Sequence, residues 1–280
     1  MESISIIGLG HAFNHQYEAL KNYFNNIELC DIDLDKIKKY GAINNCKLLK
    51  SSIALISTSP NNHLSIIKDL INKTIIIEKP MVMNLDELNE LISINKSNIY
   101  SSLHYSFGKE IDYFINMNYK KPKCIYSYIS DNYVTNKHIN LEQINLCGSY
   151  LDEVINPLSA LARIFGYNIS FIKTNKKYYK GDKYDYYSKT EFNIDGIDTI
   201  IEVEWNNKES QKYIDLIYDD KTIRLDSMNQ KVIDLTNNKV LYEASGNRMF
   251  NHYLGVLNDY ITNNNFDNSV ILHKELLKGV

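Results

Sequence analysis

The chain has 280 residues, 44% hydrophobic and 23% charged, with a formal net charge of −3. That length holds one large or two ordinary domains, and the composition is that of a folded protein. Interspersed acids and bases leave no footprint for nucleic acid or an anionic membrane, and no stretch nears the roughly 18 apolar residues that span a bilayer.

The opening Met1-Glu2-Ser3-Ile4 has no basic n-region, so no signal peptide is expected. Ile4–Ile7 reads as a first buried strand and Tyr17–Tyr23 as part of the helix after it. Ile27–Cys30 is the second strand, and Asp33–Tyr40 a short helix with acids in its first turn, where the dipole favours them. Ala54–Ser57 is the next strand. The turn residues Pro60-Asn61-Asn62-His63 then open a helix with Leu64, Ile67 and Leu70 on one face. Ile75–Ile77, a helix over Leu85–Asn95 and a strand over Ile99–Leu103 complete the alternation expected of a doubly wound parallel sheet.

Beyond residue 118 the pattern changes. One strongly apolar helix, Tyr150–Phe165, sits among strand-like runs at Ile125–Ser130, Tyr186–Asn193, Thr199–Trp205, Tyr213–Tyr218 and Thr222–Leu225. Turns such as Asp195-Gly196 and Asp219-Asp220 join them in the manner of an antiparallel sheet. Met249–Asn263 is a closing helix. The expected fold is an α/β Rossmann domain over 1–118, followed by an α+β domain over 119–280 with a mostly antiparallel open sheet. Cys30, Cys46, Cys124 and Cys147 are scattered without C-x-x-C spacing, and His15 and His63 lack partners at ligand spacing. Reduced thiols in a cytoplasm are expected, and no protein-built metal site.

Three short segments carry chemistry. Gly8-Leu9-Gly10 directly follows a strand and precedes a helix, the context in which glycines allow a tight turn and a close backbone approach to a pyrophosphate. Phe13 stands at the third glycine position, which serves helix–strand packing. Asp31 closes the second strand 23 residues after the first glycine, near the spacing at which a carboxylate can accept hydrogen bonds from an adenosine ribose. It repels a 2′-phosphate, so NAD is favoured over NADP. Asp31 could equally cap the next helix, a role open to Asp33. Glu78-Lys79-Pro80 lies at the carboxyl end of the Ile75–Ile77 strand, where open parallel sheets bind ligands.

Together, Gly8-Leu9-Gly10, Asp31, Ser57-Thr58-Ser59-Pro60-Asn61-Asn62-His63 and Glu78-Lys79-Pro80 resemble the Gfo/Idh/MocA oxidoreductase family in order and spacing. The resemblance implies a dinucleotide held by Gly8, Gly10, His11, Asp31, Thr58, Pro60, Asn61, His63, Glu78 and Lys79. Gly148-Ser149-Tyr150-Leu151-Asp152-Glu153-Val154-Ile155-Asn156 falls where that family has its catalytic helix, with an Asp followed four residues later by a His. Here Asp152 matches and Asn156 replaces the His. An asparagine does not titrate, yet it can orient a hydroxyl through its carbonyl and NH2.

The segment Asp152–Ser159 looks like that of the galactose/arabinose 1-dehydrogenase branch, with Glu153 and Val154 in place of Pro and Gly. His104 and Trp205 sit where that branch has sugar-site residues. The resemblance therefore implies an NAD(P)-dependent oxidoreductase acting on a sugar, most like an aldose 1-dehydrogenase. Lys79 and Asp152 would share the proton work, Asn156 and His104 would hold the sugar with Trp205 nearby, and a homodimer or homotetramer would form through the C-terminal sheet. The alternatives are an enzyme of a nucleotide-linked or modified sugar, and a non-catalytic dinucleotide and sugar sensor of the same fold.

Overall fold

The computed structural model describes residues 3–94, 98–140 and 147–280. Met1, Glu2 and Asn95, named above, lie outside the described residues. The chain forms two compact units, one of Met1–Leu103 with Tyr253–Val270 and one of His104–His252 with Ile271–Val280. The division thus falls ahead of residue 118, because the helix that follows Leu103 packs within the second unit.

The first unit holds β1 (Ser3–Ile7), α1 (Phe13–Leu20), β2 (Asn26–Cys30), α2 (Leu34–Tyr40), β3 (Ile53–Ile56), α3 (His63–Asp69), β4 (Thr74–Glu78), α4 (Leu85–Ile94) and β5 (Ile99–Ser102). Its five strands are parallel, in the order β2-β1-β3-β4-β5. Ile4, Ile6, Ala54, Ile56, Ile75, Ile76 and Ile77 are almost wholly enclosed. That is the continuous apolar character expected of strands covered on both faces. Asp33 caps α2 by accepting from the amides of Asp35 and Lys36, and Gly41 closes it in the left-handed region at φ 67°.

Register places the site. Ile7 lies beside Cys30 and Ile56, Ile56 beside Ile77, and Glu78 beside Ser102. One step on, Gly8, Asp31, Ser57, Glu78 and Ser102 form a row along the carboxyl edge. The strand order reverses direction between β1 and β3, the switch point at which open α/β sheets leave a crevice.

The second unit begins with α5 (Lys109–Asn116), β6 (Cys124–Asn132), the small hairpin β7 (Val134–Thr135) and β8 (His138–Ile139), α6 (Ser149–Glu153) and α7 (Ile155–Phe165). It continues through β9 (Ile169–Lys177), β10 (Tyr187–Ile194), β11 (Ile197–Glu204), β12 (Asn206–Ile217), β13 (Thr222–Asp226), β14 (Lys231–Asp234) and β15 (Lys239–Glu243). The helices α8 (Arg248–Thr262) and α9 (Phe266–Leu277) end the chain. The large sheet runs β15-β14-β13-β12-β6-β11-β10-β9, antiparallel except for the parallel pair β6–β11. Burial alternates along β11, and over 213–217 of β12 except at Asp215, which is buried against Arg224 at 2.7 Å. Ile201 and Val203 of β11 and Ile214 and Leu216 of β12 are enclosed, while Tyr126, Tyr128, Tyr187 and Tyr213 stand half-buried on the opposite face.

The expected single helix over Tyr150–Phe165 is two. Pro157 has no N–H to offer the carbonyl of Glu153, and its ring crowds that carbonyl, so the ladder lacks that one bond, while Val154 still donates to Tyr150 at 3.1 Å and accepts from Leu158 at 3.2 Å. Val154 keeps helical dihedrals (φ −62°, ψ −33°), so Asp152 and Asn156 remain one turn apart. The polar outer strand β9, the strands β14 and β15 and the helices α5 and α9 are additions to the expected set.

Candidate functional site

The glycine turn after β1 is dictated by close approach. Gly8 has φ +94°, and a Cβ there would lie 2.5 Å from the Ser57 carbonyl oxygen at the end of β3. Gly10 differs. A Cβ on it would meet nothing within 4 Å, so no neighbour in the chain demands a glycine. Phe13 fills the third glycine position by packing against Tyr17 and Tyr40 at ring distances of 5.5 and 5.0 Å. The helix behind the turn has Ala12 as its N-cap and no side-chain cap; its first amide, that of Phe13, turns back to the Gly10 carbonyl at 3.2 Å.

Asp31, 8% exposed, ties this turn to β2. Its Oδ2 accepts the Leu9 amide at 2.7 Å and its Oδ1 the Asp33 amide at 2.9 Å, with Lys36 Nζ at 3.7 Å from Oδ2. Each oxygen retains acceptor capacity toward a ligand. Thr58 and the exposed Asn61 continue from β3, with the buried Pro60 between them starting a single 3₁₀ turn. His11 is exposed beside the glycine turn.

His63 is enclosed. Its Nε2 faces the Thr58 carbonyl at 3.0 Å and its Nδ1 the Met81 carbonyl at 3.2 Å, and burial pushes its pKa down to about 4. Neither nitrogen is turned outward to a cofactor. The ring instead clamps the segment after β3 to the one after β4, so its contribution is positional.

Glu78 is likewise held from within. Its Oε1 accepts from Gln16 Nε2 of α1 at 2.8 Å and from Ser102 Oγ of β5 at 3.0 Å, and Tyr253 of α8 is a further hydrogen-bond partner. Burial raises its pKa, opposed first by the Lys79 charge and then by these donors. The Lys79 amide lies 3.3 Å from Glu78 Oε2, the Lys79–Pro80 peptide is cis, and the Lys79 side chain is half-buried at the sheet's carboxyl edge.

In the second unit, Asp185 organises the start of α6, accepting from Ser149 Oγ at 2.6 Å and the Tyr150 amide at 2.8 Å. A Cβ on Gly148 would lie 1.9 Å from Asp185 Oδ1, so this cap requires the glycine. Asp152 and Asn156 follow, each 5% exposed. Asn156 Nδ2 donates to Glu153 Oε2 at 2.7 Å. Lys212 Nζ of β12 stands 3.6 Å from Glu153 Oε1 and 2.6 Å from Asp131 Oδ2 of β6. Burial raises the Asp131 pKa, Lys212 pulls it down and Glu153 pushes it up.

His104 faces His252, Nδ1 to Nδ1 at 3.3 Å. Burial, with Arg248 and Lys109 nearby, lowers the His252 pKa to about 3, so it stays neutral, and the pair must carry complementary tautomers to share one hydrogen bond. Trp205 is wholly enclosed, edge-on to Tyr133 at 5.4 Å, with Nε1 unpaired. It forms the interior behind the site rather than a surface that could touch a sugar. Among the described residues no group of three His, Cys, Asp or Glu could hold a metal ion, and no helix is long and apolar enough to cross a membrane.

Sequence reasoning missed Gln16 and Ser102 beside Glu78, and Lys212 and Asp131 behind Glu153. All are distant in the chain and carry no local signal. Glu153 is the exception, since its three-residue spacing from Asn156 is the ordinary one for helical neighbours.

No protein-family model and no curated protein matches the chain. Solved structures do. The fold is similar to UDP-N-acetylglucosamine 3-dehydrogenase from Acidithiobacillus ferrooxidans, with a TM-score of 0.81 at 11% identity over 100% of this chain and 97% of that one. An oxidoreductase from Agrobacterium radiobacter, in complex with NAD+, L-tartaric acid and magnesium, matches with a TM-score of 0.77 at 14% identity, covering 99% and 94%. GenD2 from gentamicin A biosynthesis, in complex with NAD, matches with a TM-score of 0.77 at 12% identity, covering 99% and 92%. At these identities the likeness establishes the fold, a parallel Rossmann-like sheet followed by a mostly antiparallel one.

Proposed function

We propose that the chain is an NAD(P)-dependent oxidoreductase of the Gfo/Idh/MocA type, acting on a CH–OH group of a sugar or sugar derivative. The observation that carries this reading is the row Gly8, Asp31, Ser57 and Glu78, with Lys79 next, along the carboxyl edge of a parallel sheet at its switch point. The uncapped start of α1 and the open space at Gly10 suit a pyrophosphate, and the Asp31 carboxylate suits an unphosphorylated ribose, favouring NAD. Two of the similar structures hold NAD, and one is named a dehydrogenase of a UDP-sugar.

Bound NAD(P) would supply hydride acceptance. Lys79 and Asp152 take the hydroxyl proton, since Asn156 does not titrate. Asn156 and His104 hold the sugar. In the aldose 1-dehydrogenase form of the reaction the oxidised carbon is the anomeric one and the product a lactone. Oxidation at another carbon of a nucleotide-linked sugar is the second reading, favoured by the name of the Acidithiobacillus protein.

A screen of NAD and NADP against aldoses and UDP-N-acetylglucosamine, read as absorbance of reduced cofactor, tests the proposal. Turnover that Lys79→Ala reduces through kcat supports it, whereas loss through KM alone, with kcat intact, contradicts the proton role of Lys79. We also assign self-association to the outer face of the large sheet, where Tyr126 and Tyr187 donate to Glu202 and Tyr128 to Glu204. Light scattering of the purified protein reads a dimer or tetramer if this is right, and a monomer if it is wrong.

A further inference from the structure

We infer that Glu153, anchored by Lys212, is a positioning residue that turns the Asn156 side chain so that its carbonyl oxygen is the group offered to a substrate hydroxyl. The inference rests on the placement of Asn156 at the sugar site and adds the device that sets its orientation.

An asparagine amide presents a donor end and an acceptor end of nearly equal size, so an isolated Asn could bind a hydroxyl in either sense. Here the choice is fixed chemically. Glu153 Oε2, 2.7 Å from Asn156 Nδ2, is a carboxylate oxygen and accepts, which commits the NH2 end to it. Asn156 Oδ1 has no hydrogen bond among the described residues. The backbone carbonyl of Asn156 is separately occupied by Ser159 Oγ at 2.7 Å, so it does not compete for that role.

Glu153 is itself enclosed, and a buried carboxylate needs compensation. Lys212 supplies it, standing between Glu153 Oε1 and Asp131 Oδ2, with its own side chain 12% exposed. The order of dependence is therefore Asp131, Lys212, Glu153, Asn156, and it ends on an acceptor. An outward acceptor binds the O–H of an alcohol, and has nothing to donate to a carbonyl. The alcohol form of the substrate is thereby recognised over its oxidised product.

Full-length protein labelled with 15N-asparagine provides a readout that needs no turnover. The side-chain amide pair of Asn156, identified by its loss in Asn156→Asp, should move in Glu153→Gln and in Lys212→Met. With D-galactose and UDP-N-acetylglucosamine as probes at saturating NAD+, Glu153→Gln should raise KM about tenfold with kcat nearly unchanged, and Glu153→Asp should recover part of the loss. Asn156→Ala should impair the same substrate more than either. An unmoved amide pair, or a Glu153→Gln enzyme matching the parent on a probe that Asn156→Ala impairs, overturns the inference alone. Turnover of neither probe by the parent overturns the reading beneath it, and the inference falls with it.

Discussion

Asp31 Oδ2 accepts the backbone amide of Leu9 at 2.7 Å, so the carboxylate that closes β2 also pins the glycine turn that closes β1. Removing it acts on both fold and ligand. Asp31→Ala should leave the Leu9 and Asp33 amides without their acceptor, destabilising the protein by roughly 1–3 kcal/mol. NAD affinity should fall at least about tenfold in the same variant, as expected for a charge-assisted bond lost to a ribose. Chemical denaturation and NAD titration read the two effects separately. Unchanged stability would show that the Leu9 contact is immaterial.

The two turn glycines should separate cleanly. Gly8→Ala places a Cβ against the Ser57 carbonyl in a left-handed backbone, and neither the β3 backbone nor the turn can give way cheaply. A loss of several degrees in Tm, or insolubility, is expected. Gly10→Ala meets open space, so its Tm should stay within about 2 °C of the parent. Its dinucleotide affinity should nonetheless drop sharply if the proposed cradle is right, because the added methyl would stand in the proposed path of the pyrophosphate. Equal Tm losses in both variants would mean that Gly10, too, is a folding glycine.

The parallel sheet was readable because each strand is a short apolar run with its own turn signal, and Gly8, Asp31 and Lys79 sit at strand ends that any pairing in sequence order would align. The break between α6 and α7 was also in the sequence, through Pro157. What no local pattern carries is the set of partners. Glu78 meets Gln16 across 62 positions and Ser102 across 24, and Ser130 and Asp131 meet the β12 strand some 80 residues later. Such contacts depend on strand order and helix docking rather than on residue type. His63 illustrates the opposite error: its place in the motif points to a cofactor, but packing turns its ring inward.

Three buried groups give stability an acid limit with a counterweight. His63 and His252 have pKa values pushed down to about 4 and about 3 from the usual 6.5 by burial. Below pH 6.5 the unfolded chain binds protons that the folded one refuses, so stability falls as pH drops toward 4. Glu110 works in the other direction. Enclosed, with Ser227 Oγ donating to its Oε1 at 2.6 Å, it has a pKa raised to about 7 from 4.5, mainly by burial. The folded state therefore holds a proton that the unfolded state loses, and stability falls as pH rises from 4.5 to 7. Glu110→Gln should remove that second slope. It should leave stability near its parental value at pH 4.5 and raise it at pH 8 by on the order of 3 kcal/mol or less. Parallel denaturation curves for the two proteins from pH 4.5 to 8 would contradict the assignment to Glu110.

Glu78 is the most heavily held side chain on the carboxyl edge, with Gln16, Ser102 and Tyr253 as hydrogen-bond partners from three different elements. Burial raises its pKa, against the Lys79 charge first and then these three neutral donors. Glu78→Gln keeps the volume and removes the charge. Because a buried amide is less costly to desolvate than a carboxylate, Tm should change by no more than a few degrees in either direction. Activity should respond differently. The Oε2 atom lies 3.3 Å from the Lys79 amide and its charge favours the protonated form of the Lys79 amine, so neutralising it should shift the acid limb of the kcat profile to lower pH and, by weakening the base, reduce kcat about tenfold. Tyr253→Phe supplies the control, since it withdraws one donor while leaving the charge in place. It should lower Tm more than Glu78→Gln does, and move the pH profile less. If the two variants change Tm and kcat in the same proportion, Glu78 is a packing residue and Lys79 works without it.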